Sequence, residues 1–214
     1  MTSTPTRTYD ASGRLAAAEE RRRRVIDTAH ELFLRDGYGP TAIASIAKAA
    51  GVSAPFVYAT FGSKAGILGA VAGVAVAGDH DDRLVRERED AVTVLEAPDA
   101  AEWIRLGARY TRQSNERSAA IMHLVTGVAG SDPAVAELLD AMLAGRRSDL
   151  ALTCIIRPGM RDGLRAQDLA DTVDVLTHWE TWWTLVEVAG WSGDRYESWL
   201  AQMMASYALP QNAS

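Results

Sequence analysis

The chain reads as all-α, and three observations say so. Apolar residues recur at helical spacing: Val25, Ala29, Leu32 and Phe33 stand at i, i+4, i+7 and i+8 and make one stripe. No segment alternates apolar and polar residues with hairpin turns at its ends. The punctuation also suits helices, with breakers at Pro98, Gly130-Ser131-Asp132-Pro133, Pro158-Gly159 and Gly190 to Gly193.

In chain order, residues 1–17 are polar, without period, and read as a flexible tail. The first helix spans about 20–36; Gly37 stands where a helix stops and Pro40 follows. Two short helices, 41–49 and 54–61, are separated by Ala50-Gly51-Val52-Ser53, and a fourth begins at Lys64 after a plausible cap, Ser63. Further helices are expected near 64–90, 99–114, 117–128, 132–155, 165–188 and 193–208. Thr177-x-x-Glu180 has capping-box spacing and marks a break in the penultimate helix.

Composition narrows the class. Apolar residues make up 48% and charged residues 23%, an ordinary globular balance. The single cysteine, Cys154, forms no internal disulfide and reads as a small buried hydrophobe. The first residues lack the apolar run of a signal peptide, and the apolar stretch from Ile67 to Gly78 is about half of the ~20 residues that span a bilayer. The expectation is a cytoplasmic protein with no membrane partner. Net charge is −6, but residues 1–64 hold nine Lys/Arg against six Asp/Glu, whereas 65–214 hold thirteen against twenty-two. A basic end on an acidic body suits a molecule that meets a polyanion at one end.

The motif Ile46-Ala47-x-x-Ala50-Gly51-Val52-Ser53-x-x-x-Val57-Tyr58-x-x-Phe61 gives that end its chemistry. A helix-turn-helix needs two short helices crossing steeply about a tight turn. Ala47 is small where the second helix must come close, and Gly51 can take positive φ. Ile46, Ala50, Val52 and Val57 supply the apolar contacts of the crossing. Ser53 can cap the second helix, where Pro55 is tolerated in the first turn. Its outward face would present Ala54, Phe56, Tyr58, Ala59 and Thr60; hydroxyls suit phosphate, and a ring or methyl can meet a thymine methyl in the major groove. Thr41 can cap the preceding helix and direct its amides at a phosphate, and Lys64 adds a cation at a helix start.

From about Arg24 to Leu68 this stretch resembles the DNA-binding domain of the TetR (tetracycline-repressor-like) family. The resemblance implies an all-helical homodimer: a three-helix DNA-binding domain (18–64) followed by a larger helical domain (65–214) for dimerisation and effector binding. Its partners would be double-stranded operator DNA and a small-molecule effector that releases the DNA. It places Thr41, Ser53, Tyr58 and Lys64 at phosphate-contacting positions, and Ala54, Pro55, Phe56 and Thr60 on the variable recognition surface. Two positions depart from the family pattern: Thr60 stands where His or Tyr is common, and Ala65 where an acidic residue is usual. A DNA-binding protein whose body only dimerises is the alternative, and a core cavity discriminates the two.

Within the body, Trp179, Trp182 and Trp183 at i, i+3 and i+4 would share one helical face. They read either as walls of an effector pocket or as core and dimer interface, the latter favoured because the last two helices of the family build the dimer. Trp103, Tyr110, Met122 and His123 are further pocket candidates, His123 reading first as a satisfied core histidine. No catalytic or cofactor signature is present: the four histidines show no HExxH or paired metal spacing, and there is no nucleophile elbow, Walker loop or dinucleotide fingerprint. No metal, cofactor or enzymatic activity is expected.

Overall fold

The computed structural model describes residues 11–81 and 83–210, and the helices fall into two compact units, Met1–Val71 and Ala72–Ser214. Among the described residues there is no strand.

The first unit contains α1 (Ala11–Asp36), α2 (Ile43–Ala49), α3 (Ala54–Phe61) and the start of α4 (Lys64–Ala77). Its buried side chains are Val25, Ile26, Ala29 and Phe33 of α1, Ile46 and Ala47 of α2, Val57 of α3, and Ile67, Leu68 and Val71 of α4. Three of the four stripe residues expected on α1 are thus buried; Leu32 is half-buried and Ile26 takes its place. α1 begins at Ala11, so residues 11–17 of the expected tail are helical, and residues 1–10 lie outside the described residues. Of these added residues Ala11, Arg14, Leu15, Ala16 and Ala17 are good helix formers and outweigh Ser12 and Gly13, needing no apolar stripe to propagate a helix already nucleated downstream. Gly37 ends α1 at φ 84°, its N–H bonded to the Phe33 carbonyl.

The second unit holds the rest of α4, a 3₁₀ turn (Val85–Glu87), α5 (Glu89–Leu95), α6 (Ala100–Ala129), α7 (Pro133–Thr153), α8 (Ala166–Thr177), α9 (Trp179–Trp182), a π-helical segment (Trp183–Val188) and α10 (Gly193–Ala208). α6 and α7 are joined by three residues, with Asp132 capping α7 through the Ala134 and Val135 amides, which makes them an antiparallel pair.

Three expectations are corrected here. The helix read as 64–90 stops at Ala77. Gly78 takes φ 87°, Asp79 and Asp81 accept loop amides (Asp81 and Arg83 N–H, 2.7 and 3.0 Å), and the buried Arg88 guanidinium donates to the Asp81 and Arg83 carbonyls and to Asp79. The expected break between 114 and 117 does not occur, and α6 runs unbroken for 30 residues. No Gly or Pro interrupts it there; Ser118 donates to the Ser114 carbonyl and Asn115 Nδ2 to the Thr177 carbonyl, so polar side chains are satisfied without leaving the helix. The penultimate helix does break at the expected place, but the capping side chain is His178, not Thr177: its Nδ1 accepts from the Glu180 N–H at 3.2 Å.

That cap makes stability depend on pH. Accepting an amide proton requires neutral Nδ1, and burial pushes the His178 pKa below its ordinary 6.5. The unfolded state therefore binds the proton more readily, and stability present above about pH 6.5 is lost as the pH falls from there through the depressed value. Thermal melts should show the native chain losing more stability between pH 7 and pH 5 than His178→Asn, which keeps a capping oxygen but does not titrate.

Candidate nucleic-acid interface and core cavity

In the first unit, α2 is followed by a left-handed glycine: Ala50 is the C-cap, Gly51 takes φ 66°, and the Val52 and Gly51 amides bond back to the Ala47 and Lys48 carbonyls at 3.0 and 3.3 Å. This is the double bond pattern of a Schellman stop. It turns the chain so that Ser53 starts α3, its Oγ accepting from the Phe56 N–H at 3.3 Å. Val57 is completely buried, and the opposite face of α3 is open: Pro55, Tyr58, Ala59 and Thr60 are exposed, Tyr58 at 54%. Ser53 is exposed and Ala54 half-buried.

Three predicted contact residues sit differently from the simplest expectation. Thr41 does not cap α2; Ala42 occupies the cap position without a side-chain bond, and Thr41 is only 4% exposed, its hydroxyl donating to the Gly37 carbonyl at 2.7 Å. Its hydroxyl closes the α1–α2 turn because two carbonyls left over at the end of α1, those of Gly37 and Leu32, lie within its reach. Lys64 directs its ammonium inward, donating to the Tyr38 and Gly39 carbonyls (2.9 and 3.1 Å) over the Tyr38 ring, 4.3 Å from the centroid. Phe56 is half-buried beneath the Arg21 guanidinium, which lies 5.0 Å from its ring centroid. The run Arg21-Arg22-Arg23-Arg24 was the legible signal for this cationic flank; Arg21, Arg23 and Arg24 are exposed, as is Lys48 of α2.

The second unit holds a half-open cavity of about 350 Å³. A single stripe of α6, Trp103, Gly107, Thr111, Ser114, Ser118 and Met122, forms one wall at i, i+4, i+8, i+11, i+15 and i+19, with Tyr110 and Asn115 beside it. α7 faces it with Met142, Arg146, Asp149 and Leu150; α5 adds Val94 and Leu95, and α4 adds Gly73 and Val76. Of the predicted pocket residues, Trp103, Tyr110, Met122 and Trp179 line this space. Burial pushes the Tyr110 phenol up to about 12, so it remains a neutral donor. Trp179 donates its indole N–H to Thr126 Oγ1 at 3.1 Å, whereas Trp103 Nε1 is buried without an acceptor among the described residues.

The other three are elsewhere. Trp182 is buried edge-on to Tyr196, with ring centroids 4.8 Å apart. Trp183 stacks on His123 (4.0 Å, 9°), whose Nδ1 pairs with Glu180 at 3.0 Å. The three tryptophans do not share one environment, because neighbouring helix positions diverge by about 100° and the backbone changes to a π-helix at Trp183. Sequence reading missed Thr111, Ser114 and Ser118, whose i, i+3, i+7 spacing in an otherwise apolar stripe was the available signal.

Residues 25–71 match the family model described as bacterial regulatory proteins, tetR family. The chain carries a TetR-family DNA-binding domain. Outside that domain the likeness is one of fold. The secondary repressor of the MexAB-OprM multidrug efflux pump from Pseudomonas aeruginosa, NalD, is 18% identical at a TM-score of 0.69, over 92% of this chain and 99% of that one. The fatty acid degradation regulator FadR from Bacillus halodurans is 16% identical at 0.61, over 85% and 96%. A Saccharomonospora viridis protein in complex with choline is 19% identical at 0.62, over 90% and 99%. No curated protein matches the chain. An all-helical fold with a small N-terminal domain and a larger helical body is therefore shared with these structures over 85–92% of the chain. Among the described residues no group of three or more His, Cys, Asp or Glu is placed to hold a metal ion. No single helix there is long and apolar enough to cross a membrane; α3 and α4 pass that test only as a pair, bent by 69° between them.

In this TetR-family domain Lys64 is a structural clamp. Lys64→Ala should lower stability by about 1–3 kcal/mol, the cost of leaving two carbonyls without a charged donor, and Lys64→Met, which keeps the stem over Tyr38, should lose part of that. Denaturant melts of the two variants check the order.

Proposed function

We propose that the chain is a homodimeric transcriptional repressor that reads operator DNA with the exposed face of α3 and is released by a small molecule held in the cavity of the second unit. The observation that carries the reading is the cavity itself, since a body that served only to dimerise would have no use for it, and pockets of roughly 300–1,000 Å³ are the usual size for small ligands. The choline complex of the Saccharomonospora viridis protein shows that this fold accommodates a small molecule.

On DNA, Pro55, Tyr58 and Thr60 are the outward residues of α3 that would meet base edges and thymine methyls, with Ala54 and Phe56 at the margin. The Ser53 and Tyr58 hydroxyls and the exposed arginines of α1 would meet phosphates, whereas Thr41 and Lys64 would act by holding the loop between α1 and α2. Two α3 helices in successive major grooves require a dimer with a spacing of about 34–36 Å. Val175 and Val188, 68% and 73% exposed, supply apolar surface for such an interface. The cavity touches Gly73 and Val76 of α4, and the same unbroken helix begins at Lys64 in the DNA-binding unit. A ligand that favours one position of α4 would bias the operator-competent state by its differential affinity. A protein working on DNA in this way acts in the cytoplasm.

Selection from random duplexes with the purified protein should yield a two-fold symmetric site. Tyr58→Ala and Thr60→Ala should each weaken it by about tenfold or more, and sedimentation should give twice the 23.1 kDa chain mass. Equal affinity for all duplexes, or a mass of one chain at every concentration, would contradict the reading. Gly107→Leu projects toward Met204 and Val94 in the cavity and should keep operator affinity within about twofold while abolishing release by compounds found in a small-molecule screen.

A further inference from the structure

Ser and Thr within helices normally turn the hydroxyl back onto the carbonyl four residues earlier. In the second unit Thr93, Ser118, Thr126, Thr172, Thr177 and Ser198 all do so, at 2.6–3.0 Å. Thr111 and Ser114 do not. These two residues and Tyr110 line the cavity, and their hydroxyls make no hydrogen bond to any described residue. Accessible hydroxyls that the fold does not use keep their donor and acceptor capacity for a ligand.

Their position along the cavity is equally specific. On α6 they lie between Trp103 and Gly107 on one side and Met122 on the other. α7 runs antiparallel, so Leu150 adjoins the Trp103 end and Met142 the Met122 end, as the Arg157 guanidinium just beyond α7, 5.5 Å from the centre of the Trp103 ring, also requires. Apolar side chains therefore stand toward both ends, with the Trp103 indole N–H, Thr153 and Asp149 among them at the Trp103 end, and Thr111 and Ser114 lie between. The charged groups on its wall are already matched: Arg86 pairs with Asp149 at 3.4 Å, and Arg146 with Asp174 at 2.7 Å and with Thr177 Oγ1 at 2.6 Å. An ionic ligand would give up its hydration without meeting an unpaired counter-charge.

We infer that the effector is an uncharged, largely apolar molecule with a central hydrogen-bonding group, such as a carbonyl, that the hydroxyls of Tyr110, Thr111 and Ser114 receive. The inference rests on the effector-binding reading above but concerns the ligand's chemistry alone. Four probes that share two phenyl rings on one carbon test it on the full chain without DNA, by equilibrium dialysis: benzophenone, diphenylmethane, diphenylacetate and diphenylmethyltrimethylammonium. Benzophenone should bind at least about tenfold more tightly than diphenylmethane, the worth of one to two well-made hydrogen bonds, and both ions should bind more weakly than diphenylmethane. Tyr110→Phe with Thr111→Val and Ser114→Ala should erase the preference for benzophenone while leaving diphenylmethane within about twofold; Ser114→Ala alone, which adds no bulk, should reduce it and serves if the triple variant does not fold. An ion that binds as tightly as benzophenone, a preference that survives loss of the hydroxyls, or failure of both neutral probes to bind overturns the inference. Because no DNA is present, failure of operator control leaves these outcomes untouched, and the reverse also holds.

Discussion

The exposed face of α3 depends on one backbone constraint, the left-handed conformation of Gly51. A residue with a β-carbon pays about 1–2 kcal/mol there, and the turn is what lets the Val52 and Gly51 amides close the end of α2. Once the chain has turned, Ser53 caps α3 and Val57 is sealed in the core, and the remaining positions follow from helical geometry. Tyr58 and Ala59, one and two places beyond Val57, must turn away from the core, and Thr60 is exposed with them. The polar clamps around it serve the same end. Thr41 and Lys64 take up carbonyls at the close of α1 and in the loop that follows, fixing the approach to α2. Residues that family likeness would place on phosphates thus contribute first by holding the surface in shape.

The second unit manages buried polarity in the opposite way. Guanidinium groups are sunk into it and given several acceptors: Arg157 donates to the Thr153, Ile155 and Leu95 carbonyls, and Arg146 to Asp174 and Thr177. Tyr196, fully buried, bonds to the Leu176 carbonyl. Against these bonded groups, Thr111 and Ser114 of the α6 stripe keep hydroxyls that the fold does not use, as does the buried Trp103 indole N–H.

How much of this was legible in the sequence follows from the range of the interactions. The helix-turn-helix is a local object, in which Gly51, Ser53, Ala47 and Val57 interact within about ten residues, so its turn, cap and buried face could all be read from spacing. Gly37 and the break beside Thr177 were legible for the same reason. The lost details are non-local. Lys64 reaches carbonyls twenty-five and twenty-six residues away, and nothing in its neighbours announces this. Ser114 and Asn115 looked like a helix break because polar residues in mid-helix usually mean solvent or a turn, and only the cavity opposite them gives that polarity a place. Trp182 and Trp183 were assigned one face by counting, whereas a π-helical wind and separate partners, Tyr196 and His123, divide them.

The central claim, that α3 presents the DNA-reading surface while the cavity-bearing unit stays off the DNA, is tested most directly by amide hydrogen exchange with and without the selected operator duplex. The account predicts protection on DNA binding concentrated in residues 53–61 and in the arginine-bearing part of α1, with exchange across α6 and α7 little changed. Protection of α6 or α7 in place of residues 53–61 would contradict it.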